Sequence, residues 1–273
     1  MSIGYFFKME EIIMAFTKNE LILDKIRSFT YHDFATNELL FRLTSLEDPS
    51  LKCSAEGEEI TDAVGSTITT LYRAKKASFS ATNTLFSLSL AAQQYGSEVE
   101  NGSETNKITD FTYEILDVKE GDTSVTLAHK PTNDIKFIYS IVDNEIGTTY
   151  KAGTEANATN FLVNEEKGEI TVPTGFTGKL FVEYQYENDK ALRVANNTSN
   201  FPSVGSAIVY AYFKDKCNDS IIYSGKIICP KVKLNPEQIE LALTSSGKHS
   251  FEINMLKDYC DEDAELFSII VSE

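Results

Sequence analysis

Arg73, Lys75 and Lys76, in the run Tyr72-Arg-Ala-Lys-Lys-Ala-Ser-Phe79, form the one basic cluster of a chain with 25 Lys and Arg against 41 Asp and Glu. Cations in a strand-like segment either guard an edge against unwanted pairing or attract an acidic neighbour, for which another copy of so acidic a chain is the natural candidate. Extended-strand spacing puts Arg73 and Lys75 on one face and Lys76 on the other. Other chemistry is poorly supported. Asp261-Glu262-Asp263 with Glu265 offers oxygens to a hard cation but lacks the EF-hand spacing and its central Gly, and reads as a solvated turn. His32, His129 and His249 are scattered, and Cys53, Cys217, Cys229 and Cys260 show no CxxC, so they read as reduced core thiols. GxSxG, P-loop and GxGxxG signatures are absent. No catalytic residue, metal or cofactor is expected, and the chain reads as a non-enzyme.

The elements that must carry the basic cluster are strands. From Glu20 onward apolar residues come in short period-two runs bounded by Gly, Asn, Asp, Ser and Pro, the pattern of half-buried β-strands. Leu39, Phe41 and Leu43 mark one strand, Ile108, Phe111, Tyr113 and Ile115 another. Leu180, Val182, Tyr184 and Tyr186, alternating with Glu183, Gln185 and Glu187, mark the cleanest. Ile239, Leu241 and Leu243 face Phe251, Ile253 and Met255 across Ser245-Ser246-Gly247-Lys248, which predicts a hairpin. One segment has helical spacing, Leu85, Leu88 and Ala92, with Asn83 as the expected N-cap and Gly96 as the stop. The polar stretch Ser97 to Lys107 reads as an exposed loop available for assembly.

The chain has 273 residues, room for one large or two modest domains. A net charge of −16 repels phosphate backbones, which argues against a conventional nucleic-acid binder. No run approaches the roughly 18 apolar residues of a membrane-spanning helix, and the acidic N-terminus does not read as a signal peptide. A soluble protein made in the cytoplasm is expected. Met9-Glu10-Glu11 ahead of Met14 is compatible with codons that form a ribosome-binding sequence, so translation is expected to start at Met14, the alternative being a short amphipathic arm. The expected organisation is an N-terminal arm at 1–19, a β body at 20–116 and 201–273, and a β insertion or extended strands and loops at 117–200.

The runs Glu56-Gly-Glu-Glu-Ile-Thr-Asp-Ala-Val-Gly-Ser-Thr-Ile68, Tyr72 to Asn83 and Leu85-Phe-Ser-Leu-Ser-Leu-Ala-Ala-Gln-Gln-Tyr-Gly96 resemble the body of tailed-bacteriophage tail tube (major tail) proteins. Pro230-Lys-Val-Lys-Leu-Asn-Pro236, Glu240 to Gly247 and His249 to Tyr259 are similar too. The resemblance implies a mainly β fold, a β-sandwich or partly open barrel flanked by a short helix, in hexameric rings whose inner strands join into a continuous barrel. Stacked rings would form the tail tube, the conduit for DNA ejection. Implied partners are other copies, other tail proteins and DNA passing through the lumen without specific binding, and the implied location is the virion tail. Arg73, Lys75 and Lys76 would then lie at the subunit interface. Two other classes share the β pattern: an Ig-like surface adhesin, which should carry a signal peptide, and a virion glycosidase with two carboxylates at a set separation.

Overall fold

The computed structural model describes residues 20–237, 239–241, 247–261 and 263–272. The N-terminal arm at 1–19 and the start at Met14 lie outside the described residues. Along the chain, β1 (Leu21–Asp33), β2 (Leu39–Leu43), β3 (Leu46–Thr61) and β4 (Thr67–Asn83) precede α1 (Leu88–Tyr95). There follow β5 (Glu100–Asn101), β6 (Ile108–Val118), β7 (Ser124–Thr126), β8 (Phe137–Val142), β9 (Glu145–Ala152), β10 (Asn160–Asn164), β11 (Glu169–Thr171), β12 (Gly178–Asn188) and β13 (Leu192–Arg193). Then come β14 (Val204–Asp215), β15 (Ile222–Leu234), β16 (His249–Met255) and β17 (Ser268–Ser272). The fold is mainly β. The chain divides into two compact units, Met1–Glu98 with Ala195–Glu273, and Val99–Val194.

The first unit is one antiparallel sheet in the order β2-β1-β14-β15-β16-β4-β3, with β17 also on β15. Its two end strands, β2 and β3, are joined by Thr44 and Ser45 alone, so the sheet must curl toward closure like a barrel. Period-two burial sets what lies inside. Ala77, Phe79 and Ala81 of β4, Ala207 and Val209 of β14, and Phe251, Ile253 and Met255 of β16 all point into one core. At its centre the ring of Phe29 meets those of Phe251, Phe79 and Phe41 at 4.9, 5.8 and 5.9 Å. The other face of β14, at Ile208, Tyr210 and Tyr212, is half-buried.

Helix α1 starts later than Leu85 and is capped by Ser87, whose Oγ accepts from Leu90 N, instead of by Asn83. Asn83 is taken by the sheet, opposite both Leu46 and His249. Gly96 does stop the helix, at φ 65°, and a Cβ there would meet the Phe201 carbonyl oxygen at 2.3 Å. Gln94 ties α1 to β16: its Nε2 donates to Ser250 O at 3.0 Å, and its Oε1 lies 2.6 Å from His249 Nε2.

His249 is fully buried, and its Nδ1 has no partner among the described residues. Burial pushes its pKa down from 6.5 to about 4. Folded protein therefore holds the neutral ring while unfolded chain takes up a proton below pH 6.5. Stability is lost as pH falls from about 6.5 to about 4, by about 3 kcal/mol in all. Thermal midpoints at neutral pH and at pH 4.5, compared for the parent and His249→Gln, should show the parent losing more; equal losses would contradict this.

The expectations for the polar loop and for the cysteines are corrected. Ser97 to Lys107 is not a free loop: Glu100 and Asn101 pair with Leu192 and Arg193, and Arg193 forms an ion pair with Glu100 at 2.9 Å. This is where the chain enters and leaves the second unit, so deletion would sever structure. Of the hairpin expected between Ile239 and Met255, the turn residues 242–246 lie outside the described residues; the described part is antiparallel, Leu241 bridging to His249 and Ser250 N donating to Glu240 O at 3.2 Å, while β16 also pairs with β4 and with Val232–Leu234 of β15. Of the cysteines only Cys229 is a core thiol, its pKa pushed up to about 12 by burial; Cys53, Cys217 and Cys260 are exposed.

The second unit is a sheet in the order β6-β12-β8-β9-β10-β11-β7. Leu180, Val182 and Tyr184 of β12 pack with Ile138, Phe161 and Ile170 in its own core. Glu114 accepts from the Tyr184 hydroxyl and from Ala128 N, and His129 stacks on Tyr186 at 4.0 Å, fastening the loop after β7 to this sheet.

Candidate functional site

All three cations of the basic cluster sit on the β3–β4 hairpin, just where β4 leaves the core at Ala77. The turn is built by Asp62, whose Oδ1 accepts from Val64 N and Ser66 N at 2.9 and 2.8 Å, and by Gly65 at φ 87°. The β-branched run Thr67-Ile-Thr-Thr70 favours the strand that follows. Pro49, which cannot donate to a ladder, falls on β3 at a register shift of this edge strand, where it is tolerated. From Gly57 to Thr67 every residue is exposed.

Among the described strands both long edges of this ribbon are open. β3 ends the sheet, and β16 covers β4 only from Ser78 to Asn83. Exposed Ile60, Ile68, Leu71 and Tyr72 line the ribbon. A further open edge belongs to β17, whose only partner among the described strands is β15 and whose Ile269 and Ile270 are both exposed. Unguarded apolar edges of this length invite another chain.

A bulge decides which way the cations point. Ser54 pairs with Lys76 and Glu56 with Arg73, so Ala74 and Lys75 together oppose Ala55. Ala74 takes φ 49°, a left-handed conformation unfavourable for a residue with a Cβ. The inserted residue shifts the alternation, and Arg73 shares a face with Lys76 instead of with Lys75. There Arg73 meets Glu58 at 3.2 Å and Lys76 meets Glu56 at 2.6 Å. The Lys76 ammonium holds the Glu56 carboxyl below its ordinary range. Both pairs are largely solvated and contribute little stability.

Lys75 turns the other way. With Lys76, Lys231, Lys257, Tyr259 and Leu266 it lines a cleft of about 720 Å³. Lys231 is engaged with Asp258 at 3.2 Å, whereas Lys75 and Lys257 have no carboxylate within ion-pair distance among the described residues. Sequence reasoning missed Lys231 and Lys257, which lie far along the chain and reach the cleft only through the β15–β16 pairing. Among the described residues no group of three or more His, Cys, Asp or Glu is placed to hold a metal ion.

The sequence profile of the YomU/Tube protein family matches residues 21–269, which spans nearly all of both units. The chain belongs to the YomU/Tube protein family. The match supports a phage tail tube protein, a structural component of the virion tail. No curated protein matches the chain significantly. No described helix is long and apolar enough to cross a membrane.

Proposed function

We propose that the chain assembles into hexameric rings through its β3–β4 hairpin, and that the rings stack into the tail tube through which DNA passes. The observation that carries this reading is the hairpin itself, strands of 16 and 17 residues whose outer halves touch no core and, among the described strands, pair only with each other. Head-to-tail contact in a ring would cover one copy's ribbon edge with the next copy's open edge, a heterologous interface that closes by rotation. The hexameric count rests on the resemblance to tail tube proteins. The Ala74 strain fits a functional bulge, and the unpaired Lys75 and Lys257 would receive carboxylates of the neighbouring copy.

Acidity supports the conduit. At −16 per subunit a hexamer carries roughly a hundred negative charges, so a lumen lined by such a chain lets DNA slide without holding it. No bond is made or broken in that role, and no cofactor is called for. The second unit, Val99–Val194, would be a β module inserted in sequence into the tube-forming unit.

Replacing Ser54 to Lys76 by an Asn-Gly turn between Cys53 and Ala77, which face each other across the ribbon, tests the hairpin's part in assembly. Core residues Ala77, Phe79 and Ala81 remain, so a cooperative thermal transition is expected while sedimentation shows only dispersed subunits. Rings or tubes from the truncated chain would refute the assignment.

A further inference from the structure

On the second unit the residues that sequence periodicity would place inside stand in solvent. Phe111, Tyr113 and Ile115 of β6 are 65%, 63% and 50% exposed, on the face of the sheet opposite the core of Leu180, Val182 and Tyr184. Register extends this face over three strands, because Phe181 lies opposite both Ile115 and Tyr139. The Phe181 ring stacks on Tyr113 at 5.4 Å and meets Tyr139 at 6.3 Å. A solvated sheet face ordinarily carries polar residues, so this aromatic one calls for an occupant.

The face is hollowed at one end. Thr132 N donates to Gln185 O at 2.9 Å and Gln185 N donates to Asn133 Oδ1 at 2.8 Å, which fixes the segment before β8 alongside β12. Buried Pro131 and Ile135 anchor it from below. This raised wall borders an open hollow of about 350 Å³, lined chiefly by Phe111, Phe137, Tyr139, Asp134, Glu183 and Gln185. The side chains of Glu183, Gln185 and Asp134 have no hydrogen-bond partner among the described residues.

We propose that this cavity is a binding site for a neutral saccharide, whose ring C–H faces lie on Phe111, Phe137 and Tyr139 and whose hydroxyls bond Glu183, Gln185 and Asp134. The volume suits roughly two pyranose rings, at the low end of ligand sites. Chemistry separates this occupant from the others. An apolar protein patch laid over the face would strip water from two carboxylates and leave them unpaired, a cost of several kcal/mol. A polyhydroxylated ligand instead supplies O–H donors to the carboxylates while its apolar side covers the rings. Asp134 and Glu183 against Lys136 leave a net negative cavity in an acidic chain, which turns away phosphates, sulfates and uronates. The inference does not depend on ring assembly.

Saturation-transfer NMR on the full chain, with chitotetraose, maltotetraose and cellotetraose each at millimolar concentration, tests it. Transfer to at least one is expected, independent of salt because the ligand is neutral. Phe111→Ala with Tyr139→Ala should weaken it by at least about tenfold, Glu183→Gln should weaken it severalfold, and Phe201→Ala, an exposed aromatic of the first unit, should leave it unchanged. Should the double variant fail to fold, the surface change Glu183→Gln decides. No transfer to any of the three, transfer that survives these changes, or binding that collapses with salt overturns the proposal. A change in particle mass caused by the double variant, with no effect on saccharide, would make the face a protein interface and equally overturn it.

Discussion

Phe29→Ala is expected to destabilise the first unit by about 3–5 kcal/mol, a large fraction of what a domain has. The ring is fully buried, with three other phenylalanine rings from β2, β4 and β16 within 6 Å of it. Truncation removes the contact that joins four separate strands, and the antiparallel ladders around it resist collapse into the void. Urea unfolding followed by near-ultraviolet circular dichroism gives the number. The second unit has its own core around Leu180 and Phe161, so a transition belonging to it should persist. A loss below about 1 kcal/mol would mean that the four rings do not form the core.

Arg73→Glu combined with Lys75→Glu is expected to leave the subunit folded and to slow or abolish assembly. Neither residue belongs to the core, and the Arg73–Glu58 pair that is lost spans solvated groups. In the proposed interface the consequence is larger. Reversing Lys75 places a carboxylate in the cleft where a neighbour's acidic segment would arrive, and like charges at an interface cost several kcal/mol. Because the contact is electrostatic, the parent's assembly rate should fall as salt rises. Light scattering over a salt series measures both. A double variant that assembles like the parent throughout would leave the cluster as a guarded edge only.

Much of the architecture was legible from alternation alone, because burial of one sheet face writes period two into the chain. Leu180, Val182 and Tyr184 point inward as that rule requires, and Gly96 ends the helix as its left-handed backbone requires. What alternation cannot reveal is a single inserted residue. Nothing in Arg73-Ala-Lys-Lys76 announces the bulge, yet it moves Lys76 to the face of Arg73 and Lys75 off it. Long-range pairing was equally hidden. β16 takes the distant β4 as a partner along most of its length, and Glu100–Asn101 of an apparently free polar stretch find Leu192–Arg193. Alternation also could not say which face of β6 is the wet one, since its aromatic residues look like core and stand in solvent.

Negative-stain electron microscopy of the purified full-length protein bears most directly on the central claim. Six-fold rings or tubes of stacked rings are the predicted result, and the same preparation of the hairpin-truncated chain should show neither. Uniformly dispersed single subunits of the parent, at concentrations and salt where the protein is folded, would contradict the account.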